Sequence, residues 1–142
     1  MKRLFCVALL LIMAVFAVSC GKKEVKKVTE DSKTATETFA IVDGIKEAYL
    51  KRDVFGIEQN TTRDGFRAIN SVIKSFDSAE LIFTPVLVEI DGGTVNVNVS
   101  WKGTWKKAGK TTEERGMAVF TVRGVPLKVD AVLKSNPFKY PE

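Results

Sequence analysis

The chain of 142 residues contains no histidine, and this absence limits the chemistry that it can perform. Ser-His-Asp and Cys-His nucleophilic sites both use an imidazole as the base, so neither can form. Zinc motifs of the H-E-x-x-H type are excluded for the same reason. The chain has no P-loop and no G-x-G-x-x-G segment, and Asp91-Gly92-Gly93 is typical of a hairpin turn rather than of a phosphate site.

Four side chains remain as candidates for lining a pocket or its rim: Tyr49, Asp53, Thr84 and Trp105. Thr84 is the only polar residue that the strand pattern directs inward. Trp105 lies near a strand end, where an indole can contact a ligand or partner, whereas Trp101 is expected in the core. Tyr49 and Asp53 could serve acid–base chemistry, but a tyrosine at the core edge and a helix cap are the favoured interpretations. We therefore expect no catalytic residue, no metal and no cofactor.

The N-terminal part has the pattern of an export signal. A basic start at residues 2–3 precedes an apolar or small run over residues 4–18, and Cys20 follows closely. The run is short for a membrane span, so we predict a signal peptide over residues 1–19, with a short membrane anchor as the alternative. Residues 17–20 are Ala-Val-Ser-Cys, which resembles the lipobox of bacterial lipoproteins, where Leu is commonest at the first position.

This resemblance implies a diacylglycerol on Cys20, cleavage before that residue and acylation of its new amino group. One acyl chain holds a protein on a membrane only marginally, whereas several hold it durably. We therefore expect a membrane-anchored lipoprotein of the cell envelope, on the outer membrane facing the periplasm if the host has two membranes. Cys6 would leave with the signal peptide, so we expect no disulfide within the mature chain.

Charge is spread unevenly along the chain. Residues 20–33 are predicted to be the lipidated cysteine and a flexible tether, because the segment is polar and without useful periodicity, with three acids interspersed among five lysines. The formal net charge is +5, yet residues 34–142 hold 15 basic and 14 acidic side chains. A nucleic-acid-binding domain concentrates Lys and Arg on one face, and the sequence shows no such concentration. We expect no nucleic-acid partner.

Three helices are predicted ahead of any strand. Apolar residues at three- and four-residue spacing predict a helix over about residues 36–51. Asp53 can cap a short helix at about residues 54–59. A capping box at Thr61–Asp64 predicts a third helix, whose apolar stripe spans residues 66–76.

Strict alternation of apolar and polar residues over Thr94–Trp105 predicts a central strand with one buried face. Turn signals on both sides of it, and a third at Gly124-Val125, divide residues 79–133 into four antiparallel strands. The predicted cross-strand pairs are Val88–Val95, Ile82–Trp101, Ala118–Val99, Phe120–Val97 and Val129–Phe120. The predicted inward residues are Ile82, Thr84, Val86, Val88, Val95, Val97, Val99, Trp101, Ala118, Phe120, Val122, Leu127, Val129, Ala131 and Leu133, and Asp130 is expected to face outward.

The predicted fold class is α+β, with N-terminal helices packed on a curved four-stranded antiparallel meander within residues 34–142. Helices followed by long strands resemble the NTF2-like superfamily, also called the cystatin-like cone. The segments that carry the resemblance are 48–54 (A-Y-L-K-R-D-V), 97–101 (V-N-V-S-W), 115–120 (R-G-M-A-V-F) and 136–138 (N-P-F). The last strand begins V-P-L where that family often has Trp. The resemblance implies a shape and no particular activity, because this fold hosts unrelated functions.

Two functions of different classes stay open. The favoured one is a non-catalytic ligand- or protein-binding domain, because the predicted inner sheet face carries no acid or base. The alternative is a small-molecule enzyme of isomerase or dehydratase type, with a pocket inside the cone. The outer face of the predicted sheet carries more apolar residues than a solvent-exposed face without a partner needs, and similar domains often pair through this face. We therefore expect a homodimer or contact with another envelope protein. The residues predicted for this outer surface are Leu81, Phe83, Leu87, Met117, Val119 and Val132.

Overall fold

The computed structural model describes residues 29–141. The helices are α1 (Glu30–Lys51), α2 (Val54–Gln59) and α3 (Arg63–Asn70). The strands are β1 (Ser78–Asp91), β2 (Thr94–Lys107), β3 (Lys110–Arg123) and β4 (Lys128–Lys134), and a 3-10 helix spans Pro137–Lys139. The predicted signal peptide, Cys20 and most of the predicted tether lie outside the described residues. No helix within residues 29–141 is long and apolar enough to cross a membrane.

The predicted α+β class is confirmed. The four strands form one curved antiparallel sheet in the order β1-β2-β3-β4, so each strand pairs with its neighbour in the chain. Helix α1 packs on β1 and β2, and α3 packs on β4. The hydrophobic core is drawn from residues between Val42 and Phe138, so the described part of the chain supplies its own core.

The helix boundaries differ from the prediction in two places. Helix α1 begins at Glu30, because the Thr29 hydroxyl accepts a hydrogen bond from the Ser32 N–H and caps it. Its first turn therefore lies in the segment predicted as tether. Helix α3 is capped by Thr62 and ends at Asn70, so the residues up to Phe76 form a loop instead of further helix. The predicted bounds of α2 are confirmed.

The β2–β3 register is as predicted, with Val99 beside Ala118 and Val97 beside Phe120. The β1–β2 register differs from the prediction. Gly92 and Gly93, at φ of 51° and 88°, form a two-residue turn that pairs Asp91 with Thr94, so Val88 lies beside Val97 rather than Val95.

A β-bulge between Pro85 and Leu87 then inverts the faces of β1. Phe83, instead of Ile82, pairs with Trp101. Phe83 is 8% exposed and Ile82 is 51% exposed, so the predicted faces were wrong along this stretch. Ile82, Thr84 and Val86 were predicted inward and are exposed, whereas Leu81 and Phe83 were predicted outward and belong to the core.

A second irregularity, between Thr121 and Val122 of β3, changes the pairing with β4. Val129 pairs with Val122 instead of Phe120, and Val132 pairs with Phe120 and packs partly against the core. Leu133, predicted inward, is exposed.

Asp130, predicted outward, is the extra residue of β4 at this irregularity and is mostly buried. One of its carboxylate oxygens accepts a hydrogen bond from the Thr62 hydroxyl at 2.7 Å, and the other lies 2.7 Å from the Arg123 guanidinium. Asp130 therefore attaches the start of α3 to the sheet.

These changes revise the outer sheet surface. Of the six residues predicted there, Leu87 and Met117 are exposed and Val119 is half-buried. Leu81, Phe83 and Val132 do not belong to this surface, because the two irregularities turn them toward the core. The exposed apolar residues of the sheet are Ile82, Val86, Leu87, Ile90, Met117 and Leu133.

Candidate functional site

An aromatic cluster fills the space between the sheet and the end of α1. The Tyr49 ring lies 5.2 Å from that of Phe76 and 5.1 Å from that of Phe138, measured between centroids. Trp101 and Trp105 meet edge to face at 6.4 Å, a favoured arrangement for aromatic pairs. The rings in contact are those of Tyr49, Phe76, Phe83, Trp101, Trp105, Phe120, Phe138 and Tyr140.

The Tyr49 hydroxyl lies inside this cluster with both of its hydrogen-bonding roles used. It accepts a hydrogen bond from the Trp105 Nε1–H at 2.8 Å and donates one to the Tyr140 carbonyl at 2.9 Å. Burial raises the pKa of Tyr49 to about 12, although the bond from Trp105 acts in the opposite direction. At neutral pH the hydroxyl is therefore protonated and occupied.

The structure thus brings Tyr49 and Trp105 together, but in the interior. Trp105 was predicted at a pocket rim, and it is 0% exposed because β2 continues to Lys107 and carries the indole under α1. Thr84, predicted inward, is exposed because of the bulge and pairs with Ser100 on the face of the sheet opposite to this cluster.

Asp53 has the role of a helix cap. Its carboxylate accepts a hydrogen bond from the Gly56 N–H at 3.0 Å and closes the first turn of α2. Within residues 29–141 no group of His, Cys, Asp or Glu side chains is arranged to hold a metal ion.

The C-terminal segment completes the interior. The Trp101 indole donates a hydrogen bond to the Ser135 carbonyl at 2.9 Å, as Tyr49 does to that of Tyr140. Phe138 is fully buried against the rings of Tyr49, Phe83 and Phe120. Across residues 29–141 every buried side-chain nitrogen or oxygen has a hydrogen-bond partner, so the filled interior leaves no polar group aimed at a ligand.

A cleft of about 280 Å³ opens beside this cluster, between the end of α1, helix α2 and the loop that follows α3. Its floor is formed by Tyr49, Ile57 and Phe76, all buried. Its walls and mouth are formed by Arg52, Val54, Asn70, Ile73, Lys74 and Ser75. Of the four candidates from the sequence, only Tyr49 lines this cleft.

Arg52 is held at the mouth by three kinds of contact. Its backbone N–H donates to the Ala48 and Tyr49 carbonyls and ends α1 in the left-handed conformation, at φ of 57°. Its guanidinium Nη2 donates to the carbonyls of Phe76 and Asp77. The same group lies 5.0 Å from the centre of the Phe76 ring.

The fold and site define a small α+β domain with a filled aromatic interior and an open cleft edged by cations. Neither the known family models nor the curated proteins contain a match to this chain.

Proposed function

We propose that the protein is a membrane-anchored lipoprotein of the cell envelope, whose NTF2-like domain binds a ligand or a partner without catalysing a reaction. The observation that carries the second half of this proposal is the filled interior. The aromatic cluster occupies the space where a cone of this type would hold a substrate, and the C-terminal segment takes up its polar groups. Binding is then left to the surface, where the cleft beside the cluster is one of several concave sites and combines an apolar floor with two cationic side chains.

Few side chains of the interior support the enzyme alternative. Tyr49 is the fully buried ionisable side chain of the cluster, and its proton is held in a hydrogen bond to the Tyr140 carbonyl. A general acid or base needs a pKa near the working pH, whereas that of Tyr49 is raised to about 12. A host strain carrying Tyr49→Phe at normal abundance should therefore keep its wild-type phenotype. Loss of the phenotype with a folded variant would favour an enzyme.

The anchor is supported by the sequence around Cys20. Mass spectrometry of the membrane fraction should detect a diacylglyceryl-modified peptide that begins at Cys20. Cys20→Ser should abolish this modification and release the chain from the membrane, and Cys6→Ser is the matched control that should change neither. If Cys20→Ser stayed membrane-attached and processed as the wild type, the anchor would be refuted.

The outer sheet surface remains our proposal for a protein contact, either a second copy or another envelope protein. Its apolar residues are now Ile82, Leu87, Met117 and Leu133, with half-buried Val119 between them. Sedimentation tests the homodimer. A monomer at high micromolar concentration, unchanged by Leu87→Glu, would leave only the other envelope protein.

A further inference from the structure

We propose that the cleft beside the aromatic cluster binds a small amphipathic anion, a molecule with one carboxylate or phosphate group on a short apolar body. This inference rests on the proposed binding function and names the ligand class that the domain would take. It follows from the floor of the cleft, from the charges at its mouth and from the way Arg52 is held.

The floor of the cleft is apolar and small. Ile57 and Phe76 are buried beneath it, and Val54 and Ile73 form its sides. Ligand pockets in proteins usually start at roughly 300 Å³, so a cleft of about 280 Å³ suits a short chain or a single ring and not a polymer. Covering this surface would remove apolar area from water, which favours binding of an apolar body.

The mouth of the cleft carries positive charge without a compensating carboxylate. Arg52 and Lys74 are its charged lining residues, and no Asp or Glu lines it. The neighbouring acids face elsewhere: Asp53 accepts from the Gly56 N–H, and Asp77 accepts from the N–H of Ala108. Within the part of the chain that the structure describes, Lys74 forms no ion pair.

Further lysines lie around the cleft, together with the exposed carboxylates of Asp53 and Asp77. Asp77 joins this loop to the end of β2, because its backbone N–H donates to the Lys106 carbonyl at 2.7 Å. The exposed lysines at this end of the domain are Lys51, Lys74, Lys106, Lys107 and Lys110. None of them takes part in the ion pairs formed among residues 29–141. Unpaired lysines near a site favour the approach of anions. The sequence does not reveal this grouping, because the lysines come from separate segments.

Arg52 is fixed in place before any ligand arrives. A left-handed conformation costs a non-glycine residue about 1–2 kcal/mol, and glycine is the usual residue at this helix-end position. Nη2 is occupied by two backbone carbonyls. A guanidinium has five N–H groups, so those on Nε and Nη1 remain for a carboxylate or phosphate. An immobilised side chain loses little further entropy on binding.

The test uses residues 20–142 with Cys20→Ser, so that no detergent competes for the ligand. This chain retains the whole core, which lies between Val42 and Phe138. Octanoate, octyl phosphate and 1-octanol are titrated separately, with backbone amide NMR shifts as the readout. We expect octanoate or octyl phosphate to shift residues 52–57 and 70–76, and to bind at least tenfold more tightly than 1-octanol. Whichever anion binds more tightly identifies the preferred head group.

Lys74→Glu supplies the decisive comparison. Lys74 is exposed and bonds to no other described residue, so this change should leave the fold intact and alter the unliganded spectrum only near residue 74. We expect it to weaken the better anion at least tenfold, Lys74→Gln to weaken it less, and Lys110→Glu, a charge-matched control, to weaken it by less than threefold. Equal binding of octanoate and 1-octanol, equal effects of the two glutamate variants, or no shift in the cleft would overturn the proposal. These binding results do not test the lipid anchor, which is tested separately by the membrane attachment of the full chain with Cys20→Ser.

Discussion

Phe83→Ala tests the inverted faces of β1, the feature on which the revised core depends. The Phe83 ring lies 5.6 Å from that of Phe120 and 6.3 Å from that of Phe138, and the residue is 8% exposed. Removing a buried phenylalanine ring leaves a cavity and costs about 3–5 kcal/mol. Ile82 is its neighbour in the chain and is 51% exposed, so Ile82→Ala should cost about 0.5–1 kcal/mol through β-propensity alone.

Urea unfolding of both variants separates these values. With a slope of about 2 kcal/mol per molar urea, a loss of about 4 kcal/mol lowers the midpoint by about 2 M, whereas Ile82→Ala should lower it by about 0.5 M or less. A domain of this size is stable by about 5–15 kcal/mol, so Phe83→Ala should remain measurable. Equal midpoints, or a lower midpoint for Ile82→Ala, would mean that β1 has no bulge and that its faces are reversed.

Four further outcomes are expected. Tyr49→Phe should lower the free energy of unfolding by about 1–3 kcal/mol, because the buried Trp105 N–H loses its acceptor. The pKa of Tyr49 is raised from 10.0 to about 12, so its protonated form contributes fully to the free energy of unfolding of the wild type below pH 10. That free energy should fall by roughly 1–2 kcal/mol as the pH rises to 12. Unfolding of Tyr49→Phe, measured over the same pH range, should not show this loss. Gly65→Ala should destabilise by about 1–3 kcal/mol, because its Cβ would lie 2.2 Å from the Val129 carbonyl oxygen. Gly44→Ala, whose Cβ has ordinary contacts, should instead stabilise α1 by about 0.5–1 kcal/mol in thermal unfolding. If both glycine variants were stabilised, or both destabilised, the packing of α3 on β4 would be contradicted.

The sequence predicts correctly those elements whose alternation of apolar and polar residues allows a single assignment of faces. Thr94–Trp105 alternates without exception, and the β2–β3 register follows from it. The β1 sequence has apolar residues at both parities, as at Leu81 and Ile82, so alternation alone permits two assignments. The signal for a bulge is Pro85 followed by three apolar residues in succession, since proline and a break in alternation both accompany bulges.

The candidate site was predictable only in part. Tyr49 lies on the apolar stripe of α1, which made it a natural pocket candidate, but its hydrogen-bond partners come from distant segments that the sequence does not bring together. Arg52 and Lys74 gave no signal, because neither the left-handed backbone of Arg52 nor the early end of α3 is marked by residue type. The cleft exists because the chain after Asn70 is a loop, where the periodicity predicted further helix.

The two edges of the sheet are protected against pairing with another chain in different ways. The β4 edge is covered near its start by the chain's own segment at residues 60–62, because the Thr62 N–H donates to the Val129 carbonyl and the Val129 N–H donates to that of Asn60. Within residues 29–141 no further strand pairs with the β1 edge, and exposed Ile82 and Leu87 beside it would favour edge-to-edge aggregation. Pro85 removes one backbone donor from this edge, and the adjoining bulge interrupts its straight run. The irregularity that inverts the β1 faces therefore also interrupts the edge along which a strand of another molecule could pair.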